Sequence, residues 1–546
     1  MKAHNAYFGT FRPGPSLLLL FFLLTVPAFQ APAATEGAPP GNQPARQKVD
    51  QAGAWITADH SRYEILRQTF TTGADISRAC LSCHNEADAQ FKETIHWTWK
   101  TDPDETGKVM GKAGDSVNNF CISANRMQDR QCLSCHPGWN KEATDINCLV
   151  CHSGKTIKWE EAFEDYNAFV REGDAESLDM ADEIQSDIRS AVTRIVLPGR
   201  SNCGSCHFFG GGGDGVKHGD LDSSLTTPDK ALDVHMAADG QDFTCTRCHT
   251  TVQHHIAGRV YTRPAADSRQ SLIENDLVSK ITCESCHSST PHAAGSKIND
   301  HTDKVACQSC HIPEFARVNP TKMWWDWSKA GRKEDGKECT IKDEFGKDSY
   351  LTKKGEMRWA KNVRPEYFWY NGSIQTMTVR DTIDPASIVP VSRQLGDRND
   401  PRARIYPFKV HRGKQPYDTA DNRLLAPLLS GEEGYWTTYD WDDAFKKGMN
   451  AFDLPYSGKF DFVETTYVFP ITHMVAPEEK AVACRECHVH ESGRLAALTG
   501  FYMPGRDQVR LVNLFGWLAV VGSLAGVGLH GLGRFVASRR KEGKKS

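Results

Sequence analysis

The feature that most constrains this chain is the sequence Cys-x-x-Cys-His, which occurs eight times between residues 80 and 488. Zinc sites also use cysteines paired at this spacing, but they do not need a histidine directly after every pair. Two thioether bonds to the vinyl groups of a haem, together with an axial imidazole for its iron, require the whole set. The repeated motif therefore predicts a c-type cytochrome with eight covalently attached haem c groups.

Each predicted haem takes two cysteines as attachment points and the adjacent histidine as its proximal iron ligand. In chain order these sets are Cys80, Cys83 and His84; Cys132, Cys135 and His136; Cys148, Cys151 and His152; Cys203, Cys206 and His207; Cys245, Cys248 and His249; Cys283, Cys286 and His287; Cys307, Cys310 and His311; and Cys484, Cys487 and His488. Of the 18 cysteines, Cys121 and Cys339 lie outside the motifs. In an oxidising compartment these two could form a disulfide, although a buried structural thiol is the commonest role of a free cysteine.

The composition indicates that the interior is not built from aliphatic side chains alone. Hydrophobic residues make up 39% of the 546 residues, and 44 Gly and 26 Pro are spread along the chain. We therefore predict mainly short α-helices and long loops wrapped around the eight haems, with little β structure. Residues 159–189 predict one or two solvated helices. The net charge of −4 excludes a basic nucleic-acid-binding protein.

Both ends of the chain predict a relation to a membrane. Residues 1–34 combine Lys2 and Arg12 with a short apolar run and a small-residue cleavage pattern, which is typical of an export signal. Residues 35–50 predict a flexible linker. Residues 511–533 carry no formal charge, and ~20 such residues are enough for a helix that crosses a bilayer.

We predict a transmembrane helix over residues 509–535 and a basic cytoplasmic tail over residues 536–546, because Lys and Arg concentrate on the cytoplasmic side. The octahaem domain, residues 51–505, then lies in the periplasm and is anchored to the inner membrane by a single C-terminal pass. Within that domain, residues 312–483 contain no motif and are rich in aromatic residues. We expect most of these aromatic side chains to cover haem faces, the alternatives being a cavity wall or an oligomer surface.

Each haem iron also has a second axial position, which electron-transfer haems commonly fill with another histidine and catalytic haems leave open or hold weakly. Of the 21 histidines, eleven remain after the motifs, His4 in the signal and His530 in the membrane span are set aside. The eleven are His60, His96, His218, His235, His254, His255, His292, His301, His411, His473 and His490. We predict as distal ligands His96, His218, His235, His255, His292, His301 and His473. The adjacent His254 is an almost equal alternative to His255.

Several linkers between the motifs resemble those of the octahaem tetrathionate reductase family of c-type cytochromes. The resemblance covers roughly residues 50–500 and includes the order of the motifs and the long gap before the eighth. The distinctive linkers are residues 96–99, 111–112, 118–122, 148–152, 312–317 and 324–328.

This resemblance implies that the second haem is the active site and that a lysine between the first two motifs is its distal ligand. By position that residue is Lys112, with Lys108 as the fallback; without the resemblance, Lys112 is better interpreted as a surface lysine in a Gly-rich loop. An amine with a reference pKa near ~10.4 must lose a proton before it binds iron, and burial favours that loss. Cys121 follows in the same segment and could line the active pocket.

The resemblance implies a reductase in which bis-histidine haems relay electrons to the second haem. Its substrate would be a small sulfur or nitrogen compound, such as tetrathionate, nitrite or hydroxylamine. The membrane helix suggests a quinol-linked or cytochrome electron-transfer partner. One alternative is a non-catalytic conduit from a membrane quinol-oxidising partner to periplasmic acceptors. Another is hydroxylamine oxidation, although no feature of the sequence marks the cross-linked tyrosine that related oxidative enzymes use.

Overall fold

The computed structural model describes residues 58–103, 107–117, 134–139, 145–258, 268–269 and 280–542. The predicted export signal and linker, together with Cys121 and Cys132, lie outside these described residues. Helical turns carry the haem motifs on both sides of a β-rich segment, which coincides with most of the long stretch that has no motif.

The α-helices of the described residues are Gly73–Leu81 (α1), Ala87–Lys92 (α2), Ile95–Thr98 (α3), Leu149–His152 (α4), Trp159–Glu172 (α5), Ala175–Thr193 (α6), Arg200–His207 (α7), Glu284–His287 (α8), Gln308–His311 (α9), Tyr435–Thr438 (α10), Trp441–Asn450 (α11), Cys484–Cys487 (α12) and Arg510–Glu542 (α13). Turns of 3-10 helix lie at His60–Arg62, Glu64–Leu66, Ser223–Thr226, Cys245–Arg247, Lys297–His301, Trp327–Lys329 and Glu478–Lys480. The strands are Thr251–Val252 (β1), His255–Ile256 (β2), Ser268–Arg269 (β3), Lys280–Ile281 (β4), Thr321–Asp326 (β5), Lys333–Glu334 (β6), Lys337–Glu338 (β7), Thr340–Lys342 (β8), Asp348–Leu351 (β9), Gly355–Ala360 (β10), Glu366–Tyr370 (β11), Ile374–Thr376 (β12), Val389–Pro390 (β13), Ser392–Gln394 (β14), Arg404–Asp418 (β15), Arg423–Leu424 (β16) and Phe460–Pro470 (β17).

Most of the motifs close a single helical turn. The backbone N–H of the motif histidine donates to the carbonyl of the first motif cysteine, for example from His287 to Cys283 at 2.8 Å and from His311 to Cys307 at 2.9 Å. Residues four apart lie on the same face of a helix. This turn therefore presents the first thiol and the imidazole on one side of the backbone, as attachment of a haem requires.

The charged stretch predicted as one or two helices forms two, α5 and α6. Gly173 ends α5 in the left-handed conformation, with φ at 71°, and Asp174 begins α6 by accepting a hydrogen bond from the N–H of Ser177 at 2.9 Å. The pair is not fully solvated, because α6 buries Ile188 and Val192 in a cluster with residues 66–79.

The prediction of little β structure is wrong. Seven strands form a sheet in the order β13-β17-β15-β5-β10-β9-β8, and β11 and β16 also pair with β15, which makes nine strands in all. Its central pair is long: β15 and β17 run antiparallel from Phe408 opposite Pro470 to Asp418 opposite Phe460. Residues 460–470 are mostly β-branched and aromatic, a composition that favours a pleated, half-buried surface.

The expectation that most aromatic residues of this segment cover haem faces is also wrong. Trp325 and Trp327 stack with their ring centroids 4.6 Å apart, and Tyr435 stacks on Trp441 at 3.6 Å. These rings pack with Phe445 in a hydrophobic core that belongs to the sheet and the helices beside it. The segment therefore has an interior of its own, made from side chains.

The C-terminal helix α13 extends away from the rest of the molecule. Within residues Arg510–Arg540, the most apolar stretch of 18 residues has a mean hydropathy of 1.8. None of this stretch is buried against the rest of the protein. Among the described residues, α13 is the one helix long and apolar enough to cross a membrane.

Candidate multihaem site

The motif thiols and imidazoles line one continuous cavity of about 3400 Å³. Residues of the second to the eighth motif contribute to its wall, and the first motif adjoins it through Leu81. Ordinary small-molecule pockets have volumes of roughly 300–1,000 Å³. A cavity several times larger, lined by thiols and imidazoles, fits a group of haems rather than one small ligand.

Six motif histidines each face a second histidine, with ring centroids 5.9–6.3 Å apart. Two imidazoles that bind opposite sides of one metal ion, each at about 2 Å, have centroids about 6 Å apart. The spacing therefore fits bis-histidine coordination of a haem iron. The pairs are His84 with His60, His207 with His96, His249 with His473, His287 with His235, His311 with His292, and His488 with His301.

Hydrogen bonds orient several of these imidazoles. The Nδ1–H of His249 donates to the carbonyl of Ala257 at 2.9 Å, and that of His488 to the carbonyl of Pro504 at 2.8 Å. A carbonyl oxygen can only accept, so Nδ1 carries the proton and Nε2 is left available for a metal. Such partners are typical of metal-ligating histidines, because they fix both the tautomer and the ring orientation.

Five of the seven predicted distal histidines take part in these pairs, whereas His218 and His255 do not. His218 instead packs against Phe469 of β17, with centroids 5.3 Å apart. The sequence did not single out His60, which faces His84 from a 3-10 turn that begins at Asp59. The spacing of the motifs does not mark His60, because this residue lies in a separate turn before the first motif.

At the third motif the structure favours His254 over His255. Gln253 and His254 have φ values of 47° and 66°, which gives the tight turn between β1 and β2 that a two-residue hairpin needs. The turn places His254 in the cavity wall, where its interaction with His152 is among the causes that, after burial, lower the pKa of His254. His255 lies on β2 and is exposed. Of the two alternatives, His254 is therefore better placed than the predicted His255, and the choice of ligand stays a prediction.

The second motif has a different environment. His136 is 7% exposed, and its ring lies 4.7 Å from that of Trp97 and 5.3 Å from that of Trp99. Its Nε2 contacts the carbonyl of Trp97 at 2.9 Å. Among the described residues, no second imidazole faces His136 at the spacing of the six pairs.

Lysines occupy the surroundings of the second motif instead. Lys112, the lysine predicted from the resemblance, lines the cavity with its Nζ 5.3 Å from the ring centroid of Trp99, and it interacts electrostatically with Cys135. The fallback, Lys108, forms an ion pair with Asp381, which holds its amine away from this role.

A second lysine, Lys217, was not identified from the sequence. It follows the Gly-rich turn over residues 210–213, lines the same cavity, and lies 5.7 Å from the ring centroid of Phe469. Burial, together with the nearby charge of Lys112, lowers the pKa of Lys217 to about 8. The sequence predicts the adjacent His218 as a haem ligand, but it contains no local pattern that marks Lys217.

Thiols of different motifs interact strongly enough to shift one another's pKa, which indicates how the attachment sites follow one another in space. The first motif meets the third, the second meets the fourth, the fourth meets the fifth, and the sixth meets the seventh. These contacts are Cys80 with Cys148, Cys135 with Cys206, Cys203 with Cys245, and Cys283 with Cys307.

Longer electrostatic interactions join the remaining motifs. They are Cys151 with Cys206, Cys248 with Cys286, and Cys310 with Cys487. The attachment sites therefore form a continuous series from the fourth to the eighth motif. The fourth motif is also adjacent to the second and the third, so it is a branch point.

The β-rich segment holds the loop that carries Lys112. Asp115 forms an ion pair with Arg380 at 2.7 Å, and the N–H of Val117 donates to the carbonyl of Met377 at 3.1 Å. The other spare cysteine, Cys339, lies in this β-rich segment with its Sγ 3.7 Å from the carbonyl of Arg332.

These features define a multihaem c-type cytochrome, and comparisons with known proteins agree. Residues 229–323 match the family model "Cytochrome c7 and related cytochrome c", and residues 322–491 match "Cytochrome c bacterial". The structure is similar to the crystal structure of octaheme cytochrome c from Shewanella oneidensis, with 38% identity and a TM-score of 0.64, covering 79% of this chain and 94% of that one. No curated protein matches the sequence significantly.

The chain belongs to the octahaem tetrathionate reductase family of multihaem c-type cytochromes, the family that its linkers resemble. Membership implies covalently bound haem c and a role in multihaem electron transfer or reduction.

Proposed function

We propose that this protein is a periplasmic, membrane-anchored octahaem reductase of small sulfur or nitrogen compounds, with the second haem as the reacting centre. The observation that supports this most directly is the contrast between motifs. Six proximal histidines face another imidazole and His152 interacts with His254, whereas His136 shares its surroundings with Lys112. A site held by an amine is easier to open to a substrate than a bis-histidine site.

Bound haems would supply one-electron centres, and the fourth motif would pass electrons to the second. The protein's own contribution near the second motif is positive charge. The lysine that stays protonated, Lys112 or Lys217, attracts an oxyanion with its ammonium group and stabilises negative charge that develops on it. If that lysine is Lys217, its pKa near 8 also lets it donate a proton at neutral pH as a bond in the substrate breaks.

The structure supports two candidates for the amine ligand. Lys112 has the position that the family resemblance implies. Lys217 better meets the chemical requirement, because burial lowers its pKa to about 8 and so reduces the cost of deprotonation. We propose that one of the two binds the iron and the other attracts the substrate.

Single Lys112→Met and Lys217→Met variants separate these roles. Replacement of the ligand is expected to change the spin state of one haem and to abolish turnover. Replacement of the substrate-attracting lysine is expected to raise KM and leave the spectrum unchanged. Lys230→Met, a more distant lysine in the cavity wall, is the control. Normal turnover and an unchanged spectrum in both variants would contradict the proposal.

The substrate class can be tested with purified holoprotein and a reduced viologen dye. Tetrathionate takes up two electrons to give two thiosulfate ions, and nitrite takes up six to give ammonium. Both are compatible with a chain of haems that stores electrons, and hydroxylamine is the third compound to assay. Absence of activity with all three would contradict the reductase proposal.

A second candidate is an electron conduit without catalysis. The linear series of attachment sites from the fourth to the eighth motif favours it, because such a series suits transfer over a long distance. A conduit predicts rapid reduction of all the haems by a quinol-linked or cytochrome partner, and no steady-state turnover of the three substrates.

We also propose that α13 anchors the protein to the inner membrane. The helix is apolar and unburied, and Arg534, Arg539 and Arg540 lie toward its C-terminal end, as expected for a cytoplasmic flank. A version that stops after residue 505 is expected to be released into the soluble periplasmic fraction with its haem content unchanged. Retention of that version in the membrane would contradict the proposed anchor.

A further inference from the structure

Asp220 is a buried carboxylate that the proposed reduction does not use. It is 1% exposed, and its Oδ2 accepts hydrogen bonds from the backbone N–H groups of Thr472 at 2.8 Å and His473 at 3.0 Å. The Nδ1 of His473 lies 3.2 Å from the same oxygen. Both the backbone and the imidazole of His473 are therefore fixed by one side chain.

His473 faces His249 of the fifth motif, with ring centroids 6.3 Å apart and planes inclined by 29°. Because Nδ1 is directed at Asp220, Nε2 is the nitrogen left available for an iron between the two rings. His301 and His488, which face each other at the eighth motif, instead direct Nδ1 at the backbone carbonyls of Lys297 and Pro504.

The two kinds of acceptor have different effects on a metal-bound imidazole. A hydrogen bond to a carboxylate is charge-assisted and stronger than one to a neutral carbonyl. It makes the imidazole a more basic ligand. A more basic axial ligand stabilises the oxidised iron, and hydrogen bonding around the ligands is one of the ways in which proteins set haem potentials.

We propose that Asp220 is a positioning residue that orients His473 and lowers the reduction potential of the haem at the fifth motif. The proposal rests on the binding of that haem by His249 and His473, and it is independent of which substrate is reduced. It concerns the transfer of one electron: the fifth haem is oxidised from Fe(II) to Fe(III) as its neighbour is reduced, and no bond is made or broken.

The position of the fifth motif gives this tuning a consequence. Cys245 of the fifth motif contacts Cys203 of the fourth, and Cys206 of the fourth contacts Cys135 of the second. An electron that arrives from the eighth motif therefore passes the fifth haem immediately before the branch point. A lowered potential at the fifth haem makes transfer to the fourth haem downhill, toward the second.

The test uses Asp220→Asn, which keeps the size of the side chain and an acceptor oxygen but removes the charge. Spectroelectrochemical titration of the purified holoprotein, without substrate, is expected to show the potential of one haem shifted upward while the others stay in place. The haem content and the low-spin optical spectrum are expected to match the wild type.

Asp233→Asn is the matched control. Asp233 is 2% exposed and accepts hydrogen bonds from the backbone N–H groups of His235 and Met474 at 2.9 Å, and it acts on the imidazole of His473 only as a nearby charge. Its replacement also removes a buried charge near the fifth haem. We expect an upward shift clearly smaller than that of Asp220→Asn. Equal shifts in the two variants, or no shift in Asp220→Asn, would overturn the proposal.

A measurement on the wild type keeps the proposal testable if Asp220→Asn fails to assemble. Electron paramagnetic resonance is expected to show one low-spin haem with a narrower spread of g values, as strong donation from an axial imidazole produces. Identical signals from all the bis-histidine haems would overturn the proposal. Absence of turnover in the wild type, with the expected potentials, would contradict the proposed reductase function and leave this proposal intact.

Discussion

The two large regions of this molecule fill their interiors in different ways. In the motif-bearing region over residues 58–311, the side-chain clusters are small and the motifs surround a cavity of about 3400 Å³. In the β-rich region over residues 321–470, Trp327, Tyr435 and Phe445 form a continuous aromatic core. The comparison indicates that one region needs its haems in order to fold, whereas the other has a hydrophobic core without them.

The largest expected effect follows from removing the haems altogether. When the mature chain is produced without haem attachment, we expect the motif-bearing region to remain unfolded, because it cannot bury enough apolar surface. The β-rich region is expected to keep its sheet. Limited proteolysis followed by mass spectrometry measures this directly, and a protected fragment that covers residues 321–470 is the expected result.

The holoprotein treated in the same way is the control, and it is expected to resist cleavage in both regions. Digestion of the haem-free chain at equal rates throughout would show that the aromatic core does not stabilise the sheet independently. The comparison between the two regions would then fail.

The same contrast explains what could be predicted from the sequence. Attachment of haem leaves an explicit five-residue pattern, so the cofactor class and the proximal histidines follow from spacing. A side-chain core leaves a weaker signal. The aromatic residues of the segment over residues 312–483 give no local sign that they form a sheet core, in which β15 and β17 pair over eleven positions.

The distal ligands lie between these two cases. Five predicted histidines face a motif histidine, but His60 and His254 are each placed by a local turn that no motif specifies. Lys217 shows the same limit, since the ring beside its amine belongs to Phe469, which is more than 250 residues later in the chain. Contacts between such distant residues cannot be derived from local spacing.

The second prediction tests the core of the β-rich region. Trp327→Ala removes a side chain that is 1% exposed and stacked on Trp325, so it is expected to cost roughly 3–5 kcal/mol of the stability of this region. Denaturant unfolding followed by tryptophan fluorescence measures the change. The haem absorption spectrum in the absence of denaturant is expected to be unchanged.

Trp324→Ala is the matched control. Trp324 is half-buried on β5, the strand that leads into the turn of Trp327, and it lies 5.3 Å from the guanidinium of Arg358. Its replacement is expected to cost clearly less. Equal losses of stability would show that burial in the sheet core is not what distinguishes these two positions.

The third prediction concerns single haems in the motif-bearing region. His60→Ala is expected to convert the first haem from low spin to high spin, because an imidazole that faces His84 is lost. His254→Ala is expected to do the same at the third haem. His255→Ala, with its exposed side chain, is expected to leave the spectrum unchanged. A spectral change in His255→Ala, and none in His254→Ala, would show that His255 is the ligand of the third haem.

The smallest expected effect lies where the two regions meet, at the ion pair between Lys108 and Asp381. Burial alone would raise the pKa of Asp381, but hydrogen bonds from Lys108 and Thr378 outweigh it and hold the pKa below its ordinary value of 3.8. A carboxyl group with a lowered pKa stabilises the folded state above its ordinary pKa. This contribution is lost as the pH falls below about 4.

Asp381→Asn is therefore expected to cost about 0.2–1 kcal/mol at pH 7, as for other partly exposed ion pairs, and less as the pH falls below 4. Because this ion pair fixes the loop of Lys112, the variant is also expected to raise KM slightly in the viologen assay. Asp384→Asn is the control, since Asp384 accepts hydrogen bonds from Ala386 and Ser387 and is exposed. An equal effect of both variants on KM would show that the β-rich region does not hold the Lys112 loop through Asp381.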